Sequence, residues 1–401
     1  MTGQVEPLRI LTFSTLYPNA AKPQHGVFVE NRLRHLVASG EVAAHVLAPV
    51  PYFPFSGERF GDYAVFARAP RREQRFGIEI DHPRYLTIPK VGMSLAPFLL
   101  YARARRALAA LLQAGQRFDL IDAHYFYPDG VAAVMLGRTF GLPVTVTARG
   151  SDINLIADYA VPRRLILRAA RQAAGVIAVS RALAERLAGL GVDPGRITVL
   201  RNGVDPTMFR PVTPYESGEG LPPRPLALSV GNLVPLKGHD LAISSLVAIP
   251  GLHLWVVGAG PERARLEALA GELGVAERVR FLGAVPHERM PAVYSAADLL
   301  ILASEREGWP NVMLEAMACG ARVVATEVSD VPDVVNGPAA GTWVSERSAE
   351  SLAQATRGLL AAPVARQETR AHAMDYSWEA TTQGQIRLFR EILRQRGADA
   401  P

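Results

Sequence analysis

Glu307 and Glu315 stand eight residues apart in EREGWPNVMLEAMACG (residues 305–320), and Glu315 is the only charge in its apolar run. A helix apolar on all sides is normally buried, and an ionised carboxylate in it needs a partner. Upstream, Lys237 lies near the end of the loop in LALSVGNLVPLKGHD, beside Gly238 and ahead of a helix expected to begin near His239. That arrangement suits a phosphate, because glycine permits close approach while helix amides and the ammonium attract the anion. In the same layout Pro310 or Asn311 opens the helix that carries Glu315, and Glu307–Gly308 forms the preceding turn. A carboxylate so placed can take paired hydrogen bonds from vicinal hydroxyls. Two carboxylates for two polyol groups, with a lysine for the phosphates between them, describe a sugar nucleotide. The bland alternatives are a solvated Lys237, an exposed Glu307 and a Glu315 ion-paired to Arg322.

Other chemistries are poorly served. There is no G-x-x-x-x-G-K-[ST] phosphate loop, no H-E-x-x-H and no D-x-D pair to hold a metal on a diphosphate. VVGAGPER carries Gly258 and Gly260 after a strand, but Arg263 fills the third glycine position of a dinucleotide fingerprint. The single cysteine, Cys319, can form neither an intrachain disulfide nor a cysteine-cluster metal site. In the first half, His124 and Asp152 sit at expected strand ends and are candidates for an acceptor, as is His25. Arg149, Arg201 and Arg306 also follow expected strands.

These residues need a scaffold. Short, continuously apolar segments alternate with helical patterns in both halves, from LRILTFS (8–14) to ITVL (197–200) and from LALSVG (226–231) to RVVAT (322–326). That rhythm predicts an α/β protein of two open domains, each a doubly wound parallel sheet covered on both faces. Ligands are then expected beyond the carboxyl ends of the strands, in the cleft between domains. The boundaries expected are a first domain over 1–210, a Pro/Gly-rich linker over 211–225 and a second domain over 226–376. A long helix follows over 377–398. At 401 residues the chain is long enough for two cores.

Charge is unevenly spread. Residues 1–210 hold 26 Lys/Arg against 16 Asp/Glu, while residues 211–401 hold 17 against 22. The basic half is expected to meet something anionic, such as a membrane surface, nucleic acid or a phosphorylated substrate. PFLLYARARRALAALLQAG (97–115) and RRLILRAARQAA (163–174) mix apolar residues with arginines, as helices touching anionic lipid do. Arginines snorkelling from ordinary packed helices explain them equally well. MTGQVEPLRI lacks a signal-peptide layout and no apolar stretch is long enough to span a bilayer, so the expected location is cytoplasmic. A peripheral contact with the inner face of the cytoplasmic membrane is a further expectation.

GNLVPLKGHD, VVGAGPER, the run FLGAVPHERMPAVYSAADLLILASEREGWPNVMLEAMACGARVVAT and the upstream VIAVSRALAERLAGLGVDPGRITVLRNGVD together resemble the retaining glycosyltransferases of family 4. The likeness runs in order over most of residues 8–345 and is most specific in the second half, where Glu307 and Glu315 meet the Glu-x7-Glu signature. It implies two facing Rossmann-like domains of GT-B type, with the terminal helix packing back on the first. It also implies a nucleotide-diphosphate sugar held by the second domain. By the same resemblance Glu315 holds the ribose, Glu307 the transferred sugar and Lys237 the diphosphate. The amides at Asn311 and Val312 face phosphate, Gly308 belongs to the same turn, and Gly26 is the glycine of the first loop that approaches the donor.

The family needs no metal, in keeping with the missing D-x-D pair, and no cofactor beyond the co-substrate. Two departures stand out. Relatives usually carry arginine at Asn232 and often histidine at Arg149, so another cation is needed at the phosphates; Arg149, Arg201 and Arg306 are the candidates.

The function expected is sugar transfer from a nucleotide diphosphate to a sugar or lipid-linked acceptor in cell-surface polysaccharide or glycolipid synthesis, with no nucleic-acid partner. The rivals are a sugar-nucleotide epimerase or hydrolase of the same fold, and a non-catalytic scaffold that binds nucleotide sugars.

Overall fold

The computed structural model describes residues 6–52, 62–87, 92–213, 215, 220–221 and 223–398. The opening residues 1–5 and residues 214, 216–219 and 222 of the expected linker lie outside them. The chain forms two compact units, residues 1–202 with 379–401, and residues 203–378. The division falls at Asn202, ahead of the Pro/Gly-rich stretch. The far side of that division is bound into the second unit, where Val212 N donates to Ser295 Oγ and Tyr215 N to Ala292 O.

In the first unit the strands are β1 (Leu8–Phe13), β2 (Val42–Leu47), β3 (Val50–Tyr52), β4 (Arg72–Arg75), β5 (Ile78–Asp81), β6 (Arg84–Leu86), β7 (Leu120–His124), β8 (Val144–Ala148), β9 (Gly175–Ala178) and β10 (Ile197–Val199). Eight of them form one sheet in the order β10-β9-β8-β7-β1-β2-β5-β4, and β3 pairs with β6. Every pairing in the large sheet is parallel except β4 with β5. Strands β7, β8 and β9 are buried along their whole length, as strands covered on both faces must be. The helices that matter below are α1 (Val27–Ala38), α2 (Ala96–Gln113), α3 (Val131–Phe140) and α4 (Ala160–Gln172).

The second unit holds β11 (Leu226–Val230), β12 (His253–Val257), β13 (Val279–Gly283), β14 (Leu299–Leu302), β15 (Arg322–Thr326) and β16 (Gly341–Val344), all parallel in the order β13-β12-β11-β14-β15-β16. Helix α5 (His239–Ser245) follows β11 and α6 (Asn311–Ala318) follows β14. Leu254, Leu299, Ile301 and Val324 sit in its core with Ile243 and Leu246.

Chain order fixes where a ligand belongs. In each unit the first strand lies inside the sheet, the second pairs on one side of it, and a later strand returns on the other. The order therefore reverses between β1 and β7, and between β11 and β14, and the loops after these strands part to leave a crevice.

The last helix, α7 (Trp378–Ala398), belongs to the first unit from Glu379 onward. Ile386 and Phe389 bury in that unit's core beside Ile10 and Leu33. The eleven strand segments expected from sequence all carry strands. The short strands β3 to β6 and β16 were not expected: β4 reads REQR and β6 only RYL, with no apolar run to announce them.

Candidate functional site

The second unit places Lys237 and Glu307 on the two loops that part at the switch between β11 and β14. Lys237 Nζ donates to Glu307 Oε1 at 2.5 Å, and Ser304 Oγ donates to the same oxygen at 2.7 Å. The loops are also joined by their backbones, Glu305 N to Leu236 O at 2.9 Å. This close approach requires Gly238. Its φ is 65°, and a Cβ there would lie 2.1 Å from Ala303 O, so any side chain would push the lysine loop off the end of β14.

The lysine loop is clamped from inside by His239. Its ring touches Ser229 Oγ at 2.8 Å and Asn232 O at 3.2 Å, and burial holds its pKa below the usual value. Asn232 itself is exposed. The glycines of VVGAGPER serve the same loop. A Cβ on Gly258 would come 1.8 Å from Gly231 O, and one on Gly260 would come 2.4 Å from Leu233 O. They let β12 pack beneath the lysine loop, which explains a G-x-G after a strand without any dinucleotide.

Glu315 lies one turn into α6, whose other inner residues Met313, Leu314, Ala316 and Met317 are buried. It does not pair with Arg322. That guanidinium instead donates to Leu359 O at 2.6 Å and Ala362 O at 2.8 Å. Tyr294 OH donates to Glu315 Oε2 at 2.9 Å, and His287 Nε2 lies 3.5 Å from Oε1. Burial, with Glu315 beside it, raises the Tyr294 pKa well above its usual value and keeps the phenol a donor. The Glu315 side chain remains 15% exposed. His287 and Tyr294 were missed from sequence; His287 opens a 3-10 turn and Tyr294 lies in the short helix Met290–Ala296 that follows it, with no apolar period that singles them out.

Asn311 and Val312 open α6, half-buried, with Pro310 before them. Gly308 O accepts from Ser329 Oγ at 2.8 Å, which ties the Glu307 turn to the loop after β15. Arg306 is exposed in that turn, 3.8 Å from Glu305. Lys237, Glu307, Gly308, Asn311, Val312 and Glu315 thus gather at one end of one sheet, with Asn232 on the lysine loop as well.

The remaining expected residues belong to the first unit. Gly26 precedes α1 at φ 75°, and a Cβ on it would meet Leu16 O at 2.3 Å. The glycine makes room for its own chain's loop after β1. His25 Nε2 lies 3.1 Å from Thr15 O in the same loop. Asp152 is buried and turned inward, accepting from the backbone N–H groups of Phe126 at 2.7 Å, Gly150 at 2.8 Å and Arg149 at 3.1 Å. It fixes the loop after β8. Arg201 lies just after β10, and its carbonyl accepts from Thr381 Oγ1 of α7.

His124 and Arg149 meet inside the unit. Arg149 Nη2 donates to His124 Nδ1 at 2.6 Å, so the ring proton sits on Nε2, 3.1 Å from Asp122 Oδ2. Burial, with Arg149 beside it, depresses the His124 pKa to about 4 against the pull of Asp122, leaving the ring neutral. Arg149 Nη1 donates to Asn202 Oδ1 at 3.1 Å, and Arg32 Nη1 reaches the same oxygen at 3.4 Å. Arg32 Nε donates to Gln385 Oε1 at 2.6 Å, and Gln385 Nε2 donates to Asp122 Oδ2 at 2.8 Å. Six side chains therefore close a ring at the carboxyl end of β7. Arg32, Asn202 and Gln385 lie far apart in sequence and carry no local pattern that joins them.

The sequence profile described as Glycosyl transferases group 1 matches residues 217–377, and that described as Glycosyltransferase Family 4 matches residues 27–208. A D-inositol 3-phosphate glycosyltransferase of Segniliparus rotundus is 32% identical over 317 residues, covering 71% of this chain and 68% of that protein. The protein of the same name from Mycobacterium ulcerans is 36% identical over 216 residues, 50% of this chain and 46% of that one. The chain thus spans about half the length of some curated relatives. Among solved structures, sucrose-phosphate synthase from Thermosynechococcus elongatus superposes with a TM-score of 0.80 at 21% identity, covering 97% of this chain and all of that one. With profiles matched in both halves and a relative alike over two thirds of its length, the chain belongs to the family 4 glycosyltransferases, with the two Rossmann-like domains of the GT-B fold.

Proposed function

We propose that the protein transfers a sugar from a nucleotide diphosphate to an acceptor with retention of configuration and without a metal. One observation carries this reading: Lys237 and Glu307 touch at the switch point of the second sheet, with Glu315 one turn into the helix that follows. Those are the positions where the diphosphate, the sugar and the ribose of a nucleotide sugar would be met. The chain's contribution is positional and electrostatic. Lys237 and the first amides of α6 stabilise charge developing on the leaving phosphate, and Glu307 orients the sugar. That phosphate, on the same face as the incoming hydroxyl, takes its proton.

The acceptor proposed is a sugar or lipid-linked sugar of a cell-surface polysaccharide or glycolipid, met on the cytoplasmic side. The name of the curated relatives adds a phosphorylated polyol as a second class to assay. Among the described residues no helix is long and apolar enough to cross a membrane.

The experiment is a thermal-shift screen over uridine, guanosine and adenosine diphosphate sugars, then turnover of the stabilising donor with a sugar, a lipid-linked sugar and an inositol phosphate. A ligand that binds only the folded chain raises its melting temperature. Transfer that persists in EDTA and yields the donor's anomeric configuration supports the proposal. Transfer that stops on chelation and returns with magnesium or manganese contradicts the metal-free mechanism. Turnover of donor at full rate without any acceptor favours the epimerase or hydrolase reading.

A further inference from the structure

Helices α2, α3 and α4 pack side by side on the first unit, and the turn Gly92–Leu95 that leads into α2 touches α4. The three helices carry eight arginines, at 103, 105, 106, 138, 163, 164, 168 and 171, and no aspartate or glutamate. All eight are exposed. Neither Arg138 nor Arg168 forms an ion pair among the described residues. The same face exposes large apolar side chains, Leu95 at 49% and Phe98 at 43%, with Val161 on α4.

Between the helices lies a cavity of about 180 Å³. Phe98, Val134, Met135 and Leu165 line it, and Arg138 and Arg168 are its cations. A second hollow of about 260 Å³ shares Val134 and Arg138 and continues the groove. The first cavity is smaller than the ~300–1,000 Å³ that encloses a whole small ligand, so it suits the end of a longer molecule. Besides the two arginines, Gln172 is the one polar side chain in its lining, so a nucleotide or a sugar would find few hydrogen-bonding partners there. Apolar depth beneath uncompensated guanidinium groups is the complement of an anionic lipid, whose chain is hydrocarbon and whose head carries the charge.

We propose that this face docks on a membrane containing anionic phospholipid, one lipid placing a chain end in the pocket and its headgroup phosphate at Arg138 and Arg168. The site lies wholly within the first unit and does not depend on the transfer reaction proposed above.

Sedimentation with vesicles tests it, using the full chain and phosphatidylcholine with or without phosphatidylglycerol. The protein is expected to sediment with the anionic vesicles alone, less as salt rises. Each arginine near an anionic surface strengthens binding about fivefold, so Arg138→Glu with Arg168→Glu should weaken it by at least ~25-fold. Phe98→Asp should weaken it as well, although the arginines remain. If the double variant does not fold, Phe98→Asp and the salt series decide the matter. Failure of the natural chain to sediment at low ionic strength overturns the proposal, as does undiminished binding by folded variants. Binding of a short alkyl phosphate without vesicle binding also overturns it, since the groove would then take a soluble amphiphile.

Discussion

Lys237 Nζ and Glu307 Oε1 stand 2.5 Å apart on two loops of one sheet, with Ser304 on the same carboxylate oxygen. Without ligand, the ammonium neutralises the carboxylate. In the proposed function an arriving diphosphate would compete for Lys237 and release Glu307 toward the sugar. Both groups are only partly exposed, so their charges are less screened than on an open surface.

Lys237→Ala is accordingly expected to lower kcat by ~100-fold or more, the usual cost of removing one donor to developing charge. Stability should change by less than about 1 kcal/mol, because the pair retains contact with water. Steady-state kinetics and urea unfolding measured on one preparation check both. Near-normal kcat would remove Lys237 from the reaction.

The ring through Asp122, His124, Arg149, Asn202, Arg32 and Gln385 ties α7 to the centre of the first sheet. Gln385→Leu leaves Arg32 Nε and one partner of Asp122 unmet in a buried setting. A loss of roughly 2–3 kcal/mol in denaturant unfolding is expected. A loss below ~0.5 kcal/mol would mean that water replaces the amide and that the ring is not a constraint.

A pH dependence follows from Asp129, whose Oδ2 accepts from Thr15 Oγ1 at 2.9 Å in the loop after β1. Burial pushes its pKa up to about 8 from 3.8, so the folded chain holds a proton that the unfolded chain releases. The folded value is raised, so the contribution to stability is complete below pH 3.8 and is lost as pH rises through about 8. Asp129→Asn keeps a neutral acceptor for Thr15 and cannot ionise. The melting temperature of the variant minus that of the natural chain should therefore climb between pH 5 and pH 8 and level off above. His124, depressed to about 4, weakens both proteins alike as pH falls below 6.5 and cancels in the difference. A flat difference would place the Asp129 pKa near its ordinary value.

The sequence was most legible where a signal is local and periodic. Apolar segments marked every strand at the two switch points, and the Glu307–Gly308 turn and the helix start at Pro310 or Asn311 fell where a strand-loop-helix reading put them. It was least legible where partners meet only through the fold. The Glu315 contact with Tyr294 joins two helices, so sequence alone suggested only Arg322 as an alternative partner, and that guanidinium is engaged elsewhere. Gly258 and Gly260 looked like half of a phosphate fingerprint, yet their Cβ positions are filled by the backbone of the lysine loop. Strand β4 pairs antiparallel at a sheet edge, where alternate residues stay exposed, and REQR offers no apolar run to find.

The account rests on Glu315 and Glu307 meeting different parts of one nucleotide sugar, and free nucleoside diphosphate separates them because it keeps the ribose and lacks the sugar. Calorimetry should be run with the diphosphate of whichever base stabilises the natural chain. Its affinity is expected to fall for Glu315→Gln and to stay within about twofold for Glu307→Gln, while Glu307→Gln lowers kcat. Intact affinity in Glu315→Gln, together with a lower melting temperature, would make Glu315 a structural acceptor for Tyr294 and contradict the assignment of the ribose site.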